Sequence, residues 1–170
     1  MINKRKLIEN ILNQPLINKN TEIDKKKKLA EKWFNKLRDQ ICNDFTRIEY
    51  NFKIKNNYEK VSKIKFPIFN QKKWSRDGGG GGVMSIMKGN VFEKVGVNIS
   101  TVYGKFSDEF KGQIPGAEKT GNFWASGISV VAHMNNPYIP AAHMNTRFLV
   151  TGVGENRKFW FGGGCDLTPM

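Results

Sequence analysis

Glycine is absent from the first 77 residues, and all seventeen glycines stand at Gly78 or later, five of them consecutive at Gly78–Gly82. Glycine weakens a helix interior and allows backbone to approach other groups closely. The distribution therefore confines long helices to the opening of the chain and points to extended, closely packed backbone in the rest. Charge divides at the same place. Through Arg76 there are 20 Lys and Arg against 8 Asp and Glu; from Asp77 onward the counts are 8 and 7, so the opening carries nearly all of the +13 net charge. No Pro/Ser/Gly linker separates the two parts, and no internal repeat is visible. The expectation is a single domain over 1–170, with a Lys-rich helical opening (1–73) and a Gly-rich β region (74–170).

The opening reads as helix. Thr21-Glu22-Ile23-Asp24 supplies an N-terminal cap with acids in the first turn. Leu29, Trp33, Leu37, Ile41 and Phe45 recur every four residues, with Ala30, Phe34 and Ile48 beside them, which predicts one apolar stripe on a helix from about Glu22 to Ile48. A shorter helix is expected over Lys4–Asn13. Lys25–Lys28 precede the stripe with no Arg or aromatic residue interleaved. The run reads as a solvated helix end, and no nucleic-acid partner is expected. Over 49–73, Lys alternates with Ile, Val and Phe, as in Phe52-Lys53-Ile54-Lys55 and Ile64-Lys65-Phe66, and a Lys-guarded strand-like edge is predicted there.

The remainder reads as strands: Val91–Val102, Gly127–His133, His143–Val150 and Lys158–Phe161. Their connections are mostly too short for helical crossovers, so the pairing is antiparallel. Asn136-Pro137-Tyr138-Ile139-Pro140 is the turn between the second and third of these runs. Alternation places His143, Asn145 and Arg147 on one side of a strand, and Met144, Thr146, Phe148 and Val150 on the other. In the preceding run Ser129, Val131 and His133 share a side. Both histidines of the chain can thus line one polar face backed by an apolar one.

Several motifs are excluded. Gly78–Gly82 is followed by no Gly-Lys-Ser/Thr, and Gly152-Val153-Gly154-Glu155-Asn156-Arg157 lacks the third glycine of a dinucleotide fingerprint. Asn98-Ile99-Ser100 matches a glycosylation sequon, which we read as chance. Cys42 and Cys165 are too few for a disulfide framework or a structural zinc site, and a reducing cytoplasm is the expected location. No apolar run approaches the roughly 18 residues of a membrane span. His133 and His143 supply half of a metal shell. The glycine strings admit three readings: flexible loops, backbone brought close to a bulky ligand with Asp166 held at the strand end, or an anion receptor made of backbone amides.

The ordered strings Trp74-Ser75-Arg76-Asp77 with Gly78–Gly82, Val91–Ser100, Gly127–Pro137, Pro140–Phe148 and Trp160–Pro169 resemble the oxygen-dependent coproporphyrinogen III oxidase family. The likeness runs from residue 74 to the C-terminus, and the helix at 22–48 fits the family's N-terminal helix. It implies an α+β fold: a flat antiparallel β-sheet flanked by helices. It implies oxidative decarboxylation of two propionates of coproporphyrinogen III to vinyls, using O2 and releasing CO2 and H2O2, with no organic cofactor, and a homodimeric assembly. A divalent metal is implied for some members. By resemblance, His143 is a general acid or base and Asp166 accepts pyrrole N–H bonds. Ser129, Asn145, Thr146 (through its backbone) and Arg147 bind substrate, and His133 with His143 would ligate the metal. Family members are longer. The chain therefore resembles the N-terminal part of such an enzyme, with the sheet incomplete at its C-terminal end. A fragment that holds a tetrapyrrole without turning it over, and a basic nucleic-acid module suggested by charge alone, are the other function classes.

Overall fold

In the computed structural model, residues 19–56 and 68–169 are described. Helix α1 (Lys19–Lys55) leads into six strands: β1 (Asn70–Ser75), β2 (Gly80–Met87), β3 (Phe92–Lys105), β4 (Asn122–Met134), β5 (Ala141–Thr151) and β6 (Lys158–Thr168). A one-turn helix α2 (Asp108–Lys111) lies in the β3–β4 connection. The sheet order is β1-β2-β3-β4-β5-β6, every pair antiparallel. The antiparallel sheet and the four predicted strand runs are as expected. The predicted Lys4–Asn13 helix lies outside the described residues.

Helix α1 covers one face of this sheet. Ile23, Ala30, Phe34 and Cys42 are buried against Val95, Val97, Ile99, Ile128, Val130, Phe148 and Val150. Of the predicted stripe, Ala30 and Phe34 form the buried centre, and the four-spaced series lies to one side of it. Leu37, Ile41 and Phe45 pack at its margin, but Leu29 and Trp33 remain 65% and 52% exposed. A spacing of strictly four drifts around a helix of 3.6 residues per turn, so the ends of such a series leave the contact line.

The helix is also longer than expected. Phe52-Lys53-Ile54-Lys55 is helical and not strand-like; Ile64-Lys65-Phe66 lies outside the described residues. Glu49 explains the extension. It is fully buried, and its carboxylate accepts the backbone N–H groups of Asn90 (2.8 Å), Val91 (2.9 Å) and Phe92 (2.9 Å). That anchors the last turns of α1 to the β2–β3 connection, and once the helix is nucleated each further residue adds a hydrogen bond at low cost. The Lys-bearing edge strand lies further on, at β1, with Lys72 and Lys73 exposed.

The glycine string is a tight turn followed by a strand, and not a flexible loop. Gly79 and Gly80 take φ of 111° and 87° at the β1–β2 turn, a region that L side chains avoid. Gly80–Gly82 then run within β2. Lys26 and Lys27 pair with Glu22 (2.8 Å) and Asp24 (3.8 Å) on their own helix. Their ammonium groups stand 4.4 Å and 5.5 Å from the ring centres of Phe159 and Trp124. Half of the Lys25–Lys28 run is thus engaged within the fold. Among the described residues no helix is long and apolar enough to cross a membrane.

Candidate active site

The opposite face of the sheet carries no helix among the described residues, and there the strand registers align side chains in rows. Directly paired residues of antiparallel strands share a face. One row reads Trp74, Gly82, Ser100, Gly127, Arg147, Gly162; the next reads Lys72, Met84, Asn98, Ser129, Asn145, Gly164. A third aligns Val131, His143 and Asp166. The sheet therefore brings the predicted residues together in two neighbouring groups, Ser129/Asn145/Arg147 and His143/Asp166.

In the first group the Arg147 guanidinium donates from Nη2 to Asn145 Oδ1 at 2.9 Å. This leaves the rest of its donor fork free to meet an anion. The group lines a shallow depression of about 250 Å³, with Asn98, Ser100 and Trp74 completing its rim. Thr146 contributes there only through its backbone: its hydroxyl donates to Gly162 O at 3.4 Å, and alternation sends its side chain to the helix-covered face. Gly162 and Gly164, opposite Arg147 and Asn145, keep β6 free of side chains beside them.

In the second group His143 Nδ1 stands 3.3 Å from Asp166 Oδ2, and the Thr168 hydroxyl donates to Asp166 Oδ1 at 3.3 Å. Both partners are exposed to solvent. His133 lies further along β4 on the same face, opposite Lys94 of β3. Among the described residues no three His, Cys, Asp or Glu side chains gather closely enough to hold a metal ion. His133 and His143 are thus joined by no third such side chain close enough to complete a metal shell among the described residues.

Sequence reasoning missed Asn98, Ser100 and Trp74 as rim residues. The signal was present for two of them. Val97 and Ile99 alternate with Asn98 and Ser100, so the string read as a chance sequon is a strand with a polar side. Asn98 also accepts the Ser85 N–H through Oδ1 at 3.3 Å.

The antiparallel sheet with a helix packed on it agrees with the fold the resemblance implied; among the described residues a long helix covers one face only, not both. Residues 29–170 match the family model described as coproporphyrinogen III oxidase. The chain is 53% identical over 144 residues to an oxygen-dependent coproporphyrinogen-III oxidase of Rickettsia felis (strain ATCC VR-1525 / URRWXCal2), covering 85% of this chain and 48% of that protein. A protein of the same name from Rickettsia bellii (strain OSU 85-389) is 53% identical over 146 residues, 86% of this chain and 48% of its own. The counterpart in Rickettsia akari (strain Hartford) is 52% identical over 144 residues, 85% and 48%. The chain spans about half the length of the curated relatives it matches. With the family model covering all but the opening of the sequence, the chain belongs to the coproporphyrinogen III oxidase family.

Proposed function

We propose that this chain supplies the substrate-holding face of an oxygen-dependent coproporphyrinogen III oxidase, the reaction being oxidative decarboxylation of propionates to vinyls. The observation that carries the reading is the placement of Arg147, Asn145 and Ser129 beside the His143–Asp166 pair on one uncovered sheet face. Coproporphyrinogen III offers four carboxylates and four pyrrole N–H donors. The Arg147 fork takes one propionate in a charge-assisted pair, while the Ser129 hydroxyl and the Asn145 amide add hydrogen bonds. In the tautomer that donates Nδ1–H to Asp166, His143 keeps a lone pair on Nε2 and can take up or return a proton. The outer lone pairs of Asp166 accept a pyrrole N–H and stabilise positive charge that develops on the ring. Each propionate loses CO2 and two electrons on becoming a vinyl, and O2 is the electron acceptor. The homodimer, the reducing cytoplasm and the metal role of His133 and His143 belong to this reading as the family's properties.

The relatives' greater length favours a second reading, in which this chain holds the tetrapyrrole without turning it over. Titration of the chain with coproporphyrinogen III under nitrogen, followed by admission of O2, separates the two. Binding followed by vinyl formation supports the oxidase. Binding alone supports the tetrapyrrole holder. Absence of binding overturns both.

A further inference from the structure

The row that holds Arg147 begins at Trp74 on β1. Between them the same row contains Gly82, Ser100 and Gly127, no residue larger than serine. Four strand spacings separate Trp74 from Arg147, roughly 19 Å at about 4.8 Å per strand. The row is therefore a smooth trough with a guanidinium at one end and an indole at the other.

The position of the indole follows from Gly82. A Cβ there would stand 2.8 Å from Trp74 Cζ2 and 2.9 Å from Cε2. No real side chain tolerates that approach, so the indole rests directly on the β2 backbone. The Trp74 residue is nevertheless 40% exposed, and it lines the same depression as Ser129, Asn145 and Arg147. At Gly127 a Cβ would meet Thr146 O at 2.6 Å and Arg147 Cβ at 2.9 Å. Two glycines of the trough floor are thus fixed by packing, and both keep it flat. A tryptophan serving only to cap the sheet edge needs neither an open ring surface nor an anion-binding group across a side-chain-free floor.

We propose that Trp74 is a positioning residue that stacks on a pyrrole ring of the substrate while Arg147 holds a propionate at the other end of the trough. The inference rests on the substrate reading above and extends it from carboxylate recognition to recognition of the ring. Pyrrole is an electron-rich aromatic ring with an N–H donor. An indole face accommodates it by offset stacking or by accepting the N–H edge-on. Two anchors far apart also fix the macrocycle's rotation over His143 and Asp166, which one carboxylate contact cannot do.

The test is calorimetric titration of the chain with coproporphyrinogen III under nitrogen, where binding proceeds without turnover. Trp74→Leu keeps an apolar side chain and removes the ring; Trp74→Phe keeps a ring. Thermal melting is recorded for each. We expect Trp74→Leu to raise Kd on the order of tenfold and Trp74→Phe to restore most of the loss. Wild-type affinity in Trp74→Leu overturns the stacking role alone. So does equal weakening in both variants, or weakening that only tracks a lowered melting temperature. A wild-type chain that binds no tetrapyrrole overturns the substrate reading and this inference with it.

Discussion

Arg147 is held by a neighbour two positions away, through Asn145 Oδ1 at 2.9 Å, so its charge and its fork geometry can be tested separately. Arg147→Lys keeps the charge and loses the planar donor pair. We expect substrate affinity to fall by about tenfold or more, a difference of about 1.4 kcal/mol, with the melting temperature unchanged; wild-type binding in this variant removes Arg147 from the site. Asp166→Asn keeps the shape and removes the charge beside His143. In an assembly that turns over substrate, kcat should drop by roughly 10²-fold, the scale of a lost acid–base group, while the fold holds. Matching losses of rate and of thermal stability would make Asp166 a turn residue. The two thiols offer a third check. Cys42 is buried in the helix–sheet core, where desolvation pushes its pKa up to about 11, whereas Cys165 is exposed. Only a thiolate alkylates at a useful rate. Near neutral pH one cysteine should therefore label in the native chain and both in denaturant. Cys42 gains reactivity only as the pH rises toward its raised value.

At the scale of elements, the connection between α1 and the sheet depends on one buried carboxylate. Glu49→Gln leaves a single acceptor oxygen for three N–H groups and turns an amide N–H toward one of them. A loss of roughly 1–3 kcal/mol is expected from denaturant midpoints. Phe34, 1% exposed at the centre of the contact, should cost about 3–5 kcal/mol on truncation to alanine. The strands β3 to β6 and the β4–β5 turn were legible because alternation and turn residues are local signals. The site faces were legible for the same reason, since His143/Asn145/Arg147 and Ser129/Val131/His133 follow from parity within one strand. Strand β2 was not legible: its glycines carry no hydrophobic pattern, and their fit depends on Trp74 in a different strand. Glu49 was not legible either. A charged residue on the buried side of a helix breaks the apolar series, and only the folded chain shows the amides that receive it. The alignment of Arg147 with Trp74 needs the register of five strands, which no window of sequence contains.

At the scale of the molecule, the helix-covered side is not fully closed. Leu29, Trp33, Phe159 and Phe161 border an apolar groove of about 500 Å³ next to β6, itself an edge of the sheet. Each large apolar side chain left in water forgoes about 1.5–3 kcal/mol, and an open edge offers unpaired backbone groups to another chain. Residues 1–170 should therefore self-associate at micromolar concentration by light scattering. The pair Trp33→Glu and Phe161→Glu should shift the chain toward monomer without unfolding it. A wild-type chain that stays monomeric removes the groove as a cause of association.

The order of the strands has a consequence in time. Every neighbour in the sheet is also the next strand in the chain, so each pairing closes as soon as its second strand has left the ribosome. No strand waits for a later one to be threaded between it and its partner. Contacts close in sequence form fast, because little chain entropy is lost in closing them. Synthesis proceeds at about 5–20 residues per second, far slower than a hairpin forms at roughly 1–10 μs. The polar face with its Arg fork and His–Asp pair is thus assembled strand by strand, in the order in which the chain is made.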